Sequence, residues 1–266
     1  MSRFKLMRVL CLISFSAFLL ASGAFSQTNG LIHRYSFNDG TANDSVGSAH
    51  GSLFNGANIS GGQLIISGTG TGSSVQYMSM PAYVIPAGST QFTIVQWFTS
   101  SNTAQWGRSF DFGSSVTNNF FFTPRSSVSD TSRLRITQSG GGGETGPVGG
   151  PNLNDNTEHM IAAVLDQPNN MIAYYLDGNL QGSVALGANS ASGLQAVNNY
   201  IGRSQYNADG GFGGKVNEFR IYDRTLTAVE VSSAFAAGAN VVPEPSALSL
   251  LAVGLGVVLR RRRRTV

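Results

Sequence analysis

The chain has 266 residues, of which 41 % are hydrophobic, 10 % aromatic and only 12 % charged, so it is not a charged, disordered chain and its length suits one large β-domain. Eight of the 17 basic residues lie at the two ends, which leaves nine basic and fourteen acidic residues between positions 27 and 259, a net charge of about −5. An acidic middle argues against nucleic acid as a partner.

Residues 1–26 have the organisation of a secretory signal peptide. Three basic residues within the first eight precede an apolar run over 9–20, and small residues at 24 and 26 fit cleavage after Ser26. As a helix this run would be ~18 Å long, against a bilayer core of ~30 Å, which disfavours the alternative of an uncleaved anchor. The single cysteine, Cys11, lies in this segment, so the mature chain is predicted to have no disulfide and no thiolate site.

From Leu31 to Tyr222 the sequence predicts short strands separated by Gly, Asn, Ser and Asp. Asp177-Gly178 predicts a type I′ hairpin turn, because both central residues of that turn need a positive φ. About a dozen strands without a long helix predict an all-β fold, an antiparallel β-sandwich. The predicted strands are 33–37, 75–78, 92–94, 110–112, 120–123, 134–137, 160–165, 172–176, 180–185, 199–201 and 216–222.

A glycine-rich loop and one short helix are also predicted. The run 138–152 contains too many glycines for a strand, and no Lys-Ser or Lys-Thr follows it, so it is predicted to be a mobile surface loop rather than a phosphate site. Thr227 and Glu230 have capping-box spacing, which predicts a short helix that begins after Thr227 and stops at Gly238.

The body of the chain resembles a laminin-G-like, concanavalin A-type domain. The resemblance rests on the opening run 31–38, on Tyr174-Tyr175-Leu176-Asp177-Gly178 in the middle, and above all on the closing block 219–224. It implies a concanavalin A-like jelly roll over residues 27–239. The sequence departs from the family pattern at Glu158, where a Trp is usual, and at Asn217, where an Asp is usual.

The C-terminal segment 240–266 resembles the PEP-CTERM sorting signal of Gram-negative-type bacteria. A Pro-Glu-Pro motif is followed by thirteen apolar residues and then by five arginines. As a helix the apolar residues would be only ~20 Å long, which is short for a bilayer core of ~30 Å. The resemblance implies transient insertion in the inner membrane and processing by an exosortase; the alternative is a plain tail anchor. The residues that carry it are Pro243, Glu244, Pro245, Arg260, Arg261, Arg262, Arg263 and Arg264.

No pattern for catalysis is found in the sequence. Glycoside hydrolysis needs two carboxylates about 5–9 Å apart, and the Glu-x-Asp-x-x-Glu string that places them on one strand in concanavalin A-type hydrolases does not occur. The three histidines, at 33, 50 and 159, are far apart in the sequence and are predicted to make local hydrogen bonds. We therefore predict no catalytic residues and no enzyme activity.

A structural calcium site is the strongest metal candidate. Calcium prefers carboxylate and carbonyl oxygens, which Asp39 and Asp44 offer in one loop. The family resemblance adds Asn217, which can ligate but brings no charge. The alternative, that Asp39 and Asp44 cap Asx turns, is equally favoured.

Two aromatic residues in predicted loops are candidates for stacking on a sugar. Trp106 and Tyr206 have glycine, amide and carboxylate neighbours, and loops carry function more often than strands. The alternative for each is packing over a sheet edge. Trp97, three residues after the run 92–94, has the alternation of a strand residue and is expected in the core.

These predictions describe an exported protein, cut by signal peptidase and exosortase and delivered to the cell surface, the outer membrane or the medium. Its body is predicted to bind extracellular polysaccharide or another surface component without turning it over. The alternatives are a passive structural component of the exopolysaccharide matrix and, less favoured, a glycan hydrolase. Beyond calcium, no cofactor is predicted.

Overall fold

The body of the chain folds into two stacked antiparallel sheets. A computed structural model describes residues 29–242; the predicted signal peptide, 1–26, and the Pro-Glu-Pro motif with all that follows it, 243–266, lie outside the described residues. The elements are β1 (Leu31–Tyr35), β2 (Ser52–Phe54), β3 (Asn58–Ser60), β4 (Gln63–Ser67), β5 (Tyr77–Met80), β6 (Gln91–Ser100), β7 (Phe110–Ser115), β8 (Asn118–Thr123), β9 (Arg133–Thr137), β10 (Glu158–Asp166), β11 (Met171–Leu176), β12 (Asn179–Val184), β13 (Asn198–Ile201), β14 (Gly213–Tyr222) and α1 (Ala228–Ala237).

The larger sheet has eight strands in the order β12-β11-β10-β6-β14-β4-β3, with β1 also paired to β14. The first half of β14 pairs with β4 and its second half with β1, so β1 and β4 share one edge of β14. The smaller sheet has six strands in the order β2-β5-β13-β7-β8-β9. This confirms the predicted antiparallel sandwich.

The main core lies between the two sheets and is rich in phenylalanine. Phe110 and Phe112 of β7 and Phe120 and Phe122 of β8 are all fully buried in it. Successive side chains of a strand point to opposite faces, so the residues between them, Asp111 and Phe121, face outward from the smaller sheet. That outward face carries the site described below.

A second core lies on the outer face of the larger sheet, beneath the C-terminal helix. Val95 and Trp97 of β6 pack there with Val231 and Ala234 of α1. Strands β6 and β10 are apolar on both faces because both faces are covered, and their sequences therefore do not alternate. Trp97 is buried as predicted, but in this second core rather than between the sheets.

The local turn and cap predictions are confirmed. Asp177 and Gly178 have φ values of 48° and 79°, and they connect β11 to β12. The Glu230 backbone N–H donates to the Thr227 hydroxyl, and the Thr227 N–H donates to the Glu230 carboxylate. Gly238 ends the helix at φ 82°.

Both cores are built from residues between Leu31 and Ala239, so the segment 27–242 contains every residue of either core and is expected to fold without the two ends. Within the described range, 29–242, no helix has the length and hydropathy needed to cross a bilayer.

Candidate carbohydrate-binding site

A cavity of about 190 Å³ opens on the outward face of the smaller sheet. Both predicted sugar-stacking residues line it, although they are a hundred positions apart in the sequence. Its charged lining comes from the loop that precedes β7, from the glycine-rich loop and from the loop that precedes β14. The lining residues are Trp106, Arg108, Gly141, Glu144, Tyr206 and Asp209.

Arg108 lies at the floor of the cavity between two aromatic rings. Its guanidinium carbon is 3.2 Å from the centroid of the Phe121 ring and 5.3 Å from that of Tyr206. Arg108 Nη2 donates to Asp209 Oδ2 at 3.2 Å, and Nη1 donates to Asp111 Oδ2 at 3.4 Å. Because Arg108 is almost completely buried, stacking and charge pairing together hold its head in one position.

Asp111 is the buried acid beneath this arginine. It faces outward from β7, yet it has no exposed surface, and the loop that carries Tyr206 lies against it. Asp111 Oδ2 accepts from the Gln205 N–H at 2.9 Å, which fixes the start of that loop. Burial raises the pKa of Asp111 to about 7, against the opposing charge of Arg108. Within the described part of the chain, Asp111 Oδ1 and Arg108 Nε have no hydrogen-bond partner.

The two aromatic walls are held by hydrogen bonds at their polar ends. The Tyr206 hydroxyl donates to the Val116 carbonyl at 3.0 Å, and Trp106 Nε1 donates to the Ser127 hydroxyl at 2.9 Å. Trp106 has φ 65°, a left-handed conformation that an aromatic residue adopts only when its surroundings hold it there. Both side chains are partly exposed, so their faces are available to a ligand.

The glycine-rich loop forms the remaining wall. This loop runs beside β9, with Thr145 bridged to Ile136. A Cβ on Gly141 would lie 3.6 Å from the Tyr206 hydroxyl, so the small residue leaves the mouth of the cavity open. Burial raises the pKa of Glu144, while the nearby arginines 108, 133 and 135 oppose that shift.

The structure gives the three predicted calcium ligands separate partners. Asp39 caps an Asx turn by accepting from the Thr41 N–H at 2.9 Å. Asp44 is buried, and its carboxylate accepts from four backbone N–H groups and from His33 Nδ1. The Asn217 amide donates to Glu158 Oε1 at 2.8 Å.

As arranged, these side chains are hydrogen-bonded to other groups. Five hydrogen bonds engage the Asp44 oxygens, and they lower its pKa to about 2 although burial acts to raise it. A calcium ion would have to displace those donors. Within residues 29–242, no three His, Cys, Asp or Glu side chains form a group that could hold a metal ion. Calcium binding by Asp39, Asp44 and Asn217 thus stays a prediction.

The three histidines make local hydrogen bonds, as predicted. His33 contacts Asp44, His50 accepts from the Asp44 N–H at 3.2 Å, and His159 bonds two aspartates. The predicted sorting residues Pro243, Glu244, Pro245 and Arg260 to Arg264 lie outside the described residues, so the structure adds nothing to them.

Sequence reasoning missed the charged part of the cavity. Arg108, Asp111, Glu144 and Asp209 meet only because three loops converge on β7. One signal was present, since Asp111 is a carboxylate between two phenylalanines in an apolar strand. An ionisable residue in that setting is buried with a partner or serves a function.

Solved structures share this fold at low sequence identity. Domain 4 of AbnA, an extracellular arabinanase from Geobacillus stearothermophilus solved with arabinotriose, has a TM-score of 0.60 and 18 % identity over 76 % of this chain and 97 % of that one. The binding domain of botulinum neurotoxin DC gives 0.58 and 11 %, over 78 % of this chain and 51 % of that one. A sialidase from Trypanosoma rangeli gives 0.58 and 16 %, over 77 % and 32 %. This chain thus spans about half of the neurotoxin domain and a third of the sialidase.

Comparison with family models is more specific. No curated protein matches the chain. A model of the PEP-CTERM protein-sorting motif matches residues 241–264, and this motif implies an exported precursor that is processed for the cell surface. A laminin G-type model of the concanavalin A-like lectin/glucanases matches residues 69–232, more than half of the chain. The chain therefore belongs to the concanavalin A-like lectin/glucanases superfamily.

Proposed function

We propose that this protein is an exported carbohydrate-binding domain without catalytic activity, and that it binds glycan in the cavity between Trp106 and Tyr206. The observation that carries the proposal is the convergence of these two aromatic residues, each predicted separately, on one cavity with charged hydrogen-bonding groups at its floor.

The lining has the chemistry that a sugar needs. Aromatic faces pack against the C–H groups of a sugar ring, while carboxylate and guanidinium groups bond its hydroxyls. Glu144 and Asp209 supply acceptors, and the stacked arrangement of Arg108 needs no reorganisation when a ligand arrives. At about 190 Å³ the cavity is smaller than the ~300–1,000 Å³ of drug-sized pockets, which favours one sugar unit or the end of a glycan chain.

Structural relatives support this class of ligand. The AbnA domain, which the match covers over 97 % of its length, was solved with arabinotriose, and the T. rangeli sialidase, covered over 32 %, was solved with sialic acid. The sorting motif adds the setting. After signal peptidase and exosortase have acted, the domain would meet polysaccharide at the cell surface or in the surrounding matrix.

A glycan array probed with residues 27–242 tests the proposal. We expect saturable binding to at least one glycan, lost in Trp106→Ala and in Tyr206→Ala. The control is Tyr83→Ala, since Tyr83 is an exposed tyrosine that does not line the cavity. If wild type binds no glycan saturably, with or without calcium, the lectin-like proposal fails and a passive role in the matrix is favoured.

Hydrolysis is the second candidate function, favoured by one observation. Three carboxylates, those of Asp111, Glu144 and Asp209, surround Arg108, and burial raises the pKa of the first two. A general acid in a glycosidase needs such a raised pKa. Release of reducing sugar from a bound glycan, abolished in Glu144→Gln, would establish this function. Binding without release in wild type would support the non-enzymatic proposal.

A further inference from the structure

The last described residues of the chain are held against the outer face of the larger sheet by two arginines. Arg34 of β1 and Arg220 of β14 are opposite each other in the strand register. Arg220 is fully buried and stacks over Trp97, with its guanidinium carbon 4.6 Å from the ring centroid. Both arginines thus face the segment that follows the helix, on the side away from the carbohydrate cavity.

These arginines bind three consecutive carbonyl groups of that segment. Arg220 Nη2 donates to the Ala239 carbonyl at 2.5 Å and to the Val241 carbonyl at 3.1 Å. Arg34 Nη2 donates to the Asn240 carbonyl at 3.3 Å. The chain is therefore fixed up to Val241, the residue at which the match to the sorting motif begins.

The cluster has one positive charge in excess. Glu218 Oε1 accepts from Arg34 Nε and from Arg220 Nε, both at 2.6 Å, so one buried carboxylate serves two guanidinium groups. The excess charge is costly because buried charges need partners.

The same place also has spare donors. Arg220 Nη1 and the Tyr222 hydroxyl are buried without a hydrogen-bond partner among the described residues. Burial raises the pKa of Tyr222, and the Arg220 guanidinium opposes that rise through its charge and its closeness to the hydroxyl, so the two groups are neighbours. An anion placed here would gain two donors and neutralise the cluster.

We propose that this cluster is a binding site for the protein's own terminal carboxylate, formed when the peptide bond after Val241 is hydrolysed. Water adds across that bond: the Val241 carbonyl carbon gains the hydroxyl, which ionises to a carboxylate, and Val242 leaves as a free amine. A carbonyl oxygen already 3.1 Å from Arg220 Nη2 then becomes part of a charged group beside the spare donors. The inference rests on the export processing proposed above and is independent of glycan binding.

The geometry favours the chain's own end over a free anion. Arg220 and Glu218 have no exposed surface, and segment 239–241 covers them, so an ion from solvent would first have to displace the segment. A carboxylate at Val241 arrives already in place. The charge at Val241 also distinguishes two reactions. Hydrolysis leaves a carboxylate at this carbon, whereas transfer to an amine acceptor leaves a neutral amide.

The test compares two chains of residues 27–241 that differ only in charge, one ending in a free carboxylate and one in a carboxamide. We expect the free acid to melt about 2–4 °C higher at pH 7, and the difference to shrink as the pH falls below ~3.5, the ordinary pKa of an α-carboxyl group. No side chain is altered, so failure to fold cannot mimic the result.

Arg34→Met should abolish the difference, because it removes the excess positive charge and leaves Arg220 paired with Glu218. Arg34 is the partly exposed arginine of the two, so it is the one to replace. Lys215→Met, which removes an exposed charge on the same strand β14, should preserve it. Equal midpoints of acid and amide would overturn the proposal, as would an exported protein whose terminal residue, found by mass spectrometry, is not Val241. A negative glycan array would leave this result unchanged.

Discussion

The buried acid beneath the cavity gives the protein a pH-dependent stability that one substitution should remove. Asp111 has no exposed surface, and burial raises its pKa from 3.8 to about 7. In the unfolded chain the same group loses its proton near pH 4. The folded state thus keeps a proton that the unfolded state releases, and folding becomes less favourable as the pH rises.

The size of the effect follows from the two pKa values. The stabilisation from the protonated form is complete below pH 3.8 and is lost as the pH rises to about 7. Between pH 5 and pH 8 the linkage relation gives a loss of about 2–3 kcal/mol in the free energy of unfolding. Asp111→Asn cannot ionise, so the variant should lack this loss while it keeps an acceptor for the Gln205 N–H.

Urea denaturation of both proteins at pH 5 and pH 8 measures the prediction. Relative to wild type, Asp111→Asn should gain about 2–3 kcal/mol between the two pH values. Asp223→Asn, at an exposed position, is the matched control. If wild type and Asp111→Asn differ in free energy of unfolding by the same amount at both pH values, the pKa of Asp111 is not raised. In that case this description of the cavity floor is wrong.

Three further results are expected. The pKa of His159 is raised chiefly by its hydrogen bond to Asp177, so the stability that His159→Gln removes should be larger at pH 5 than at pH 9, because the gain from the charged ring is lost as the pH rises through the raised pKa. Phe122→Ala should lower the free energy of unfolding by about 3–5 kcal/mol in chemical denaturation, whereas Val148→Ala, at an exposed site, should change it little. The melting midpoint should be the same in calcium and in a chelator, since the oxygens of Asp44 already accept hydrogen bonds from backbone N–H groups. A lower midpoint in the chelator would support the predicted calcium site.

The parts of the fold that depend on residues close together in the sequence could be predicted. The turn at Asp177-Gly178 and the cap at Thr227 each involve residues within a few positions of one another. The three short strands between Ser52 and Ser67 were not predicted. They form because β5 and β14 offer free edges, and the sequence does not show which distant strand will be adjacent.

The candidate site likewise has a part that could be predicted from the sequence and a part that could not. Trp106 and Tyr206 could be proposed from their residue type and their loops, and the structure places both at one cavity. The floor could not be predicted, because the pairing of Arg108 with Asp209 joins residues 101 positions apart. The local sequence pattern shows which residue types suit a ligand. Contacts between residues far apart in the sequence decide which of them lie in the same cavity.

Tryptophan fluorescence during a glycan titration tests the central claim most directly. The chain has two tryptophans, of which Trp97 is buried in the second core and Trp106 lines the cavity. With a glycan that binds residues 27–242, we expect a saturable change in emission that is absent in Trp106→Phe and retained in Trp97→Phe. A glycan that binds tightly while the emission of Trp106 stays constant, and that binds Trp106→Ala as well as wild type, would contradict the account.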